Sequence, residues 1–178
     1  MHANVIRGRA LAAALTRLLD ECDLGQADSF MQHGDTSCLM HMIAVAYVSM
    51  RLLDGLHLSY DRSSLLRGAL LHDYFLYDWH THRRAPGDRM HAFTHARTAL
   101  LNARRRTALN AREEDIIDHH MFPVTLAPPG CREAVAVCVA DKLCALHEAL
   151  HPHCYGRLRR VYQPMIASKE AGHGTHPR

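Results

Sequence analysis

Residues 65–73 read Leu65-Leu66-Arg67-Gly68-Ala69-Leu70-Leu71-His72-Asp73. At 3.6 residues per turn, Leu65, Ala69 and His72 share one face of a helix, and Leu66, Leu70 and Asp73 share the next. A histidine and an aspartate therefore close an apolar helix side by side, pointing the way the leucines point. A bare carboxylate is unfavourable in such a place unless it is paired or metal-bound. A polar pair at a solvated helix end is the alternative, and the apolar run before the doublet argues against it.

Outward from this stretch the chain reads as more helices. Period-two alternation is nearly absent and period 3.6 recurs, which predicts an all-α fold with no strands. Val5 to Leu19 reads as an amphipathic helix, and Asp23 to Gly34 as a turn-rich connection. Asp35 or Thr36 is placed to cap a helix that runs to about Leu53, ahead of Gly55. Asp61 caps the helix that carries the doublet, drawn from Ser63 to about Leu76. Asp78 to Arg89, with Pro86 and Gly87, reads as a loop. Helices follow from His91 to Arg105, from the cap Asn110 to His120 or Met121, from Arg132 to Leu150 and from Tyr155 to Ala167. Pro123, Pro152 and the Pro128-Pro129-Gly130 turn mark the breaks. Residues 1–178 read as one domain, with 169–178 a frayed tail.

Composition narrows the function classes. The chain has 178 residues, 48% of them hydrophobic and 22% charged, with a net charge of +3, too small to argue for a nucleic-acid polymer. No uninterrupted apolar run reaches the roughly 18 residues of a spanning helix. The N-terminus lacks a signal-peptide pattern, so a cytoplasmic protein without a membrane partner is expected. Six cysteines form no C-x-x-C pair, so neither a zinc knuckle nor a dithiol redox centre is indicated. Sixteen histidines are the anomaly, and those in the middle of the chain fall on apolar faces.

His41 has Val45, Val48 and Leu52 at i+4, i+7 and i+11; taken alone, a hydrogen-bonded core histidine is the commoner outcome. His91 and His95 share a face four residues apart, either chelating one metal together or with one as ligand and the other beside it or toward substrate. His120 follows Ile116 and Ile117 onto their inward face, while His119 is rotated toward a rim. Asp141, between Val137 and Cys144, is a lone carboxylate on an apolar stripe.

Taken together, His41, then Ala69-Leu70-Leu71-His72-Asp73, His95, His119-His120 and Ala140-Asp141-Lys142 resemble the HD superfamily of metal-dependent phosphohydrolases, across about residues 36–150. Phe75-Leu76-Tyr77-Asp78-Trp79 and His120-Met121-Phe122-Pro123 are similar to a bacterial subgroup of HD hydrolases. The resemblance implies a compact helical bundle with a metal site between its helices. Members with histidines between the doublet and the last aspartate hold two metals, so two divalent transition-metal ions are expected here. Iron is the first choice, with manganese, zinc, cobalt and nickel open. It also implies a division of ligands: His41, His72, Asp73 and Asp141 for one ion, and Asp73, His95 and His120 for the other, with Asp73 as the bridge. His119 is a candidate addition.

The expected chemistry is attack on a phosphate ester or anhydride of a nucleotide-like or other small substrate by a metal-bridging hydroxide. Lys142 is assigned to phosphate charge and His91 to the catalytic surroundings; His82, Arg83 and Arg84 are candidate phosphate binders or a solvated basic loop. Proteins on the same scaffold that oxidise carbon with two irons share these ligands, and are the competing expectation. Cyclic-dinucleotide phosphodiesterases follow their His-His pair with Gly-Tyr-Pro, whereas Met121-Phe122-Pro123 follows it here. A metal sensor or store would not need an open coordination position.

Overall fold

The computed structural model describes residues 2–80 and 90–173. In chain order it comprises α1 (His2–Cys22), a 3-10 turn (Leu24–Ser29), β1 (Met31–His33), β2 (Thr36–Ser37), α2 (Cys38–Gly55), α3 (Arg62–Leu71), α4 (His91–Arg106), α5 (Ala111–His119), α6 (Arg132–Leu150) and α7 (Gly156–His173). The expected all-α architecture is present. Among the described residues the departure is a two-stranded antiparallel ribbon, β1 with β2, which starts in the segment read as a turn-rich connection and ends at the expected helix cap.

The ribbon moves the expected cap. Thr36 and Ser37 belong to β2, so the cap falls to Ser37, one or two residues later, with its hydroxyl accepting from the Met40 amide. The other two caps fall where the sequence places them. Asp61 accepts from the Ser64 amide, and Asn110 forms a capping box with Glu113.

α2 lies at the centre and packs against α3, α6 and α1. Its hydropathy and length would suit a membrane span, but two thirds of that window is buried inside the protein. Leu11, Leu15 and Leu18 of α1 close the core from one side, and Tyr162 and Ile166 of α7 from another. Close approach of α3 to α5 depends on Gly68, because a Cβ there would stand 2.7 Å from Ile116. That contact brings the end of α3 beside the end of α5, where His120 lies. Arg104 of α4 grips Glu114 of α5 through two hydrogen bonds of 2.7 Å.

Two expected boundaries are corrected. α3 stops at Leu71 and not near Leu76. The Asn102 side chain of α4 donates to the Tyr74 and Phe75 carbonyls at 3.1 Å each, satisfying backbone acceptors that a continued helix would have used, and Leu76 takes a positive φ of 57°. α7 continues to His173, five residues into the stretch read as a frayed tail.

Candidate metal centre

His41 enters from the first half of α2, His72 and Asp73 from the turn that ends α3, His95 from the first turns of α4, His120 from the end of α5 and Asp141 from the middle of α6. All six are buried. Helix ends and helix middles meet here because α3 packs against α2 and α6, and α5 packs against α6.

The ring orientations share one logic. His72 Nδ1 donates to the Ala69 carbonyl at 2.7 Å, His95 Nδ1 to the His91 carbonyl at 3.0 Å and His120 Nδ1 to the Ile117 carbonyl at 2.8 Å. Each bond closes on the residue's own preceding turn, and each leaves the Nε2 lone pair facing the centre. His41 is held differently. Its Nδ1 lies 2.8 and 3.0 Å from the two carboxylate oxygens of Glu148, so it too presents Nε2 inward.

Around these four nitrogens the carboxylates are divided. Asp73 Oδ2 lies 3.8 Å from His41 Nε2 and 3.6 Å from His72 Nε2. Its Oδ1 lies 3.4 Å from His95 Nε2 and 3.5 Å from His120 Nε2. Asp141 Oδ1 adds to the first side, 3.1 Å from His41 Nε2 and 3.7 Å from His72 Nε2. Two groups of ligand atoms close enough to hold an ion result: His41, His72 and Asp73, and Asp73, His95 and His120.

Polar satisfaction tests whether metal ions fit. His72 Nε2 and Asp73 Oδ1 are buried without a hydrogen-bond partner, a state that burial penalises. His95 Nε2 and His120 Nε2 face each other at 2.9 Å, and since both Nδ1 atoms are donors, two lone pairs meet unless a proton or a cation lies between them. The donor set is imidazole and carboxylate, suited to a divalent transition metal. The residues present fit divalent metal binding.

Electrostatics agree with this arrangement. Burial would push the Asp73 carboxyl up, but the rings of His72, His120 and His95 outweigh it and hold it below the ordinary carboxylate range. Burial likewise opposes ionisation of Asp141, and His41 and His72 overcome it. His41 is the reverse case. Burial disfavours its charged form, yet Asp141 and Glu148 raise its pKa to about 10. The two facing rings diverge: burial and the neighbouring His120 lower His95, while Asp73 raises His120 against its own burial.

The remaining candidates fall outside the ligand set. The His91 ring stacks on that of His95 with centroids 4.6 Å apart, and its Nδ1 is 2.8 Å from the Tyr77 hydroxyl. His119 turns away to Asp115, 2.6 Å from Nδ1, and is not placed with the ligands. Lys142 stands at the rim, its Nζ donating to the carbonyls of His120 at 2.8 Å and Cys138 at 3.2 Å, and lying 3.7 Å from Asp141 Oδ2. His82, Arg83 and Arg84 lie outside the described residues.

Two buried contacts were not anticipated. Glu148 follows Asp141 by seven residues on the same stripe, so continuing that stripe two turns would have found it. Gln32 donates to Asp73 Oδ2 at 2.6 Å and accepts from Cys38 Sγ at 3.3 Å; it arrives through the β1–β2 ribbon and has no local signal.

A model of the HD domain matches residues 39–146, a span that includes all six ligand candidates and Lys142. No curated protein and no solved structure matches the chain.

Proposed function

Because the chain belongs to the HD-domain family, we propose that it is a metal-dependent hydrolase and, more narrowly, that it cleaves a phosphate ester or anhydride of a small, nucleotide-like substrate. One observation carries the reading: a single buried carboxylate, Asp73, turns one oxygen toward each of two histidine groups. Two divalent cations held by these groups would lower the pKa of a water between them and offset the charge that develops on a phosphoryl group during displacement.

The chain's own residues then divide the work. Asp73 keeps the two groups in register, and Gln32 holds its Oδ2 in place. Glu148 fixes the tautomer and orientation of His41, and the backbone carbonyls of Ala69, His91 and Ile117 do the same for the other rings. Lys142 adds positive charge at the rim, where an anionic substrate would enter. His91 supports the His95 ring from one face, with Tyr77 holding it there.

The test is a panel of nucleotides and small phosphate esters offered to metal-loaded protein, with phosphate release and oxygen uptake followed together. Release that needs no oxygen and is lost in Asp73→Ala, with the helical circular dichroism retained and metal content reduced, is the expected result. Oxygen-dependent oxidation with no phosphate release from any member of the panel would overturn the reading in favour of a di-iron oxygenase.

A further inference from the structure

The outward face of α6 is as apolar as an inward one. Val135, Val139, Leu143, Leu146 and Leu150 recur at helical spacing and are 49, 44, 49, 59 and 64% exposed. The acidic residues of this helix, Glu133, Asp141 and Glu148, are all buried. Of the cations near the stripe, Arg132 lies at its start and bonds to Ser59, while Lys142 lies at its edge with Nζ turned toward backbone carbonyls. An aliphatic stripe running the length of a 19-residue helix, about 28 Å, is more than scattered exposed leucines require.

The stripe is also symmetric. Val135 and Leu150 lie equally far from a point midway between positions 142 and 143, as do Val139 and Leu146, and Leu143 sits half a residue from that point. A two-fold axis through that point therefore sets Val135 against Leu150 of a second helix and Val139 against Leu146, and brings Leu143 beside its own copy. Self-complementarity of this kind is what an isologous dimer demands and what an unrelated partner does not. We propose that the chain forms a symmetric dimer in which α6 packs antiparallel on α6 of a second copy.

The surface is large enough. The loop after α5 runs along one edge of the stripe, tied to α6 by Cys138 Sγ donating to the Phe122 carbonyl and by Lys142 Nζ donating to that of His120. It contributes Phe122, Val124 and Leu126, which are 37, 41 and 92% exposed. With the stripe, these eight exposed apolar side chains form a surface on the scale of the roughly 800 Å² per partner of a standard stable interface. Asp141 lies on the opposite face of α6, away from the paired surface, and Lys142 lies at the border of that surface.

Sedimentation and light scattering of the 178-residue chain test the proposal. The expected mass in the micromolar range is twice the 20.1 kDa of one chain. Leu143→Glu, at a half-exposed position, should give monomers with unchanged circular dichroism and metal content. Mild oxidation should link Leu143→Cys to itself, and should link Val135→Cys to Leu150→Cys when the two are mixed, above the background of the native cysteines. Wild-type protein that remains monomeric overturns the proposal, whatever else then binds the stripe, an anionic membrane included. A dimer that survives Leu143→Glu, or Val135→Cys linking to itself as readily as Leu143→Cys does, overturns the assignment to an antiparallel α6 pair.

Discussion

The two halves of the centre are built from different materials. On the first side, His41 is clasped between two carboxylates, Glu148 at Nδ1 and Asp141 at Nε2, on helices α2 and α6 that form the middle of the core. On the second side, His95 and His120 rest on neutral carbonyls of their own helices, and their shared carboxylate is Asp73. Charge thus accumulates on the first side, and the second side borrows one charge from it. Two ions bound here would therefore not be equivalent: the first group should fill at lower metal concentration and the second should be the one whose occupancy is adjustable.

The largest contrast should come from deleting one histidine on each side. His41→Ala leaves Glu148 and Asp141 buried without the cation between them, and breaking a buried ionic group by removing one partner costs about 3–5 kcal/mol. His95→Ala leaves a backbone carbonyl short of one donor, which costs about 1–3 kcal/mol. Urea unfolding of the metal-free proteins separates the two. In elemental analysis, His95→Ala should retain one metal per chain and lose hydrolysis. Equal destabilisation by the two substitutions would erase the distinction between the halves.

A narrower test isolates charge from shape. Glu148→Gln keeps a hydrogen-bonding side chain beside His41 but removes the negative charge, and should weaken metal binding at the first group by about 10- to 100-fold while leaving the second unchanged. The pH response of the metal-free protein should change with it. The pKa of His41 is raised by folding, from 6.5 to about 10. Its contribution to stability is thus fully present below 6.5 and is lost as pH rises through about 10. Asp73 and Asp141 are depressed, so theirs is present above the ordinary value of 3.8 and is lost only in stronger acid. Melting temperature should therefore fall between neutral pH and pH 10 in the wild type, and fall less in Glu148→Gln. Parallel melting curves would show that Glu148 does not carry the charge coupling.

These residues also mark how far the sequence could be read. His72, Asp73, His120 and Asp141 were legible because each is a polar side chain on an otherwise apolar stripe, and such a side chain demands a partner. Glu148 obeys the same rule, two turns beyond Asp141 on the same stripe. Gln32 obeys no local rule. It reaches Asp73 through a short ribbon whose pairing depends on what packs around it, and no periodicity forms in strands of two and three residues. The end of α3 was misplaced for a related reason: the apolar pattern continues through Tyr74 and Phe75, but Asn102 of another helix takes their carbonyls. The helical architecture is written in local periodicity, whereas the contacts that orient ligands across elements are not.

Lys142 gives the smallest and most discriminating prediction. It touches both halves, 3.7 Å from Asp141 Oδ2 on the first and hydrogen-bonded to the carbonyl of His120 on the second. Two roles follow from that position. As a structural tie it would keep the end of α5 against α6, and its loss would loosen His120 and deplete the second metal. As a charge at the rim it would act on substrate, and its loss would slow turnover with both metals kept. The second role is expected, because the Nδ1 bond to Ile117 already orients His120. The side chain is 40% exposed, so its charge is partly screened and Lys142→Ala should lower kcat by about tenfold, short of the effect of an enclosed donor. The measurement is kcat, KM and metal content on the same preparations. Metal loss in step with the fall in rate would assign Lys142 to holding the second half together and not to substrate charge.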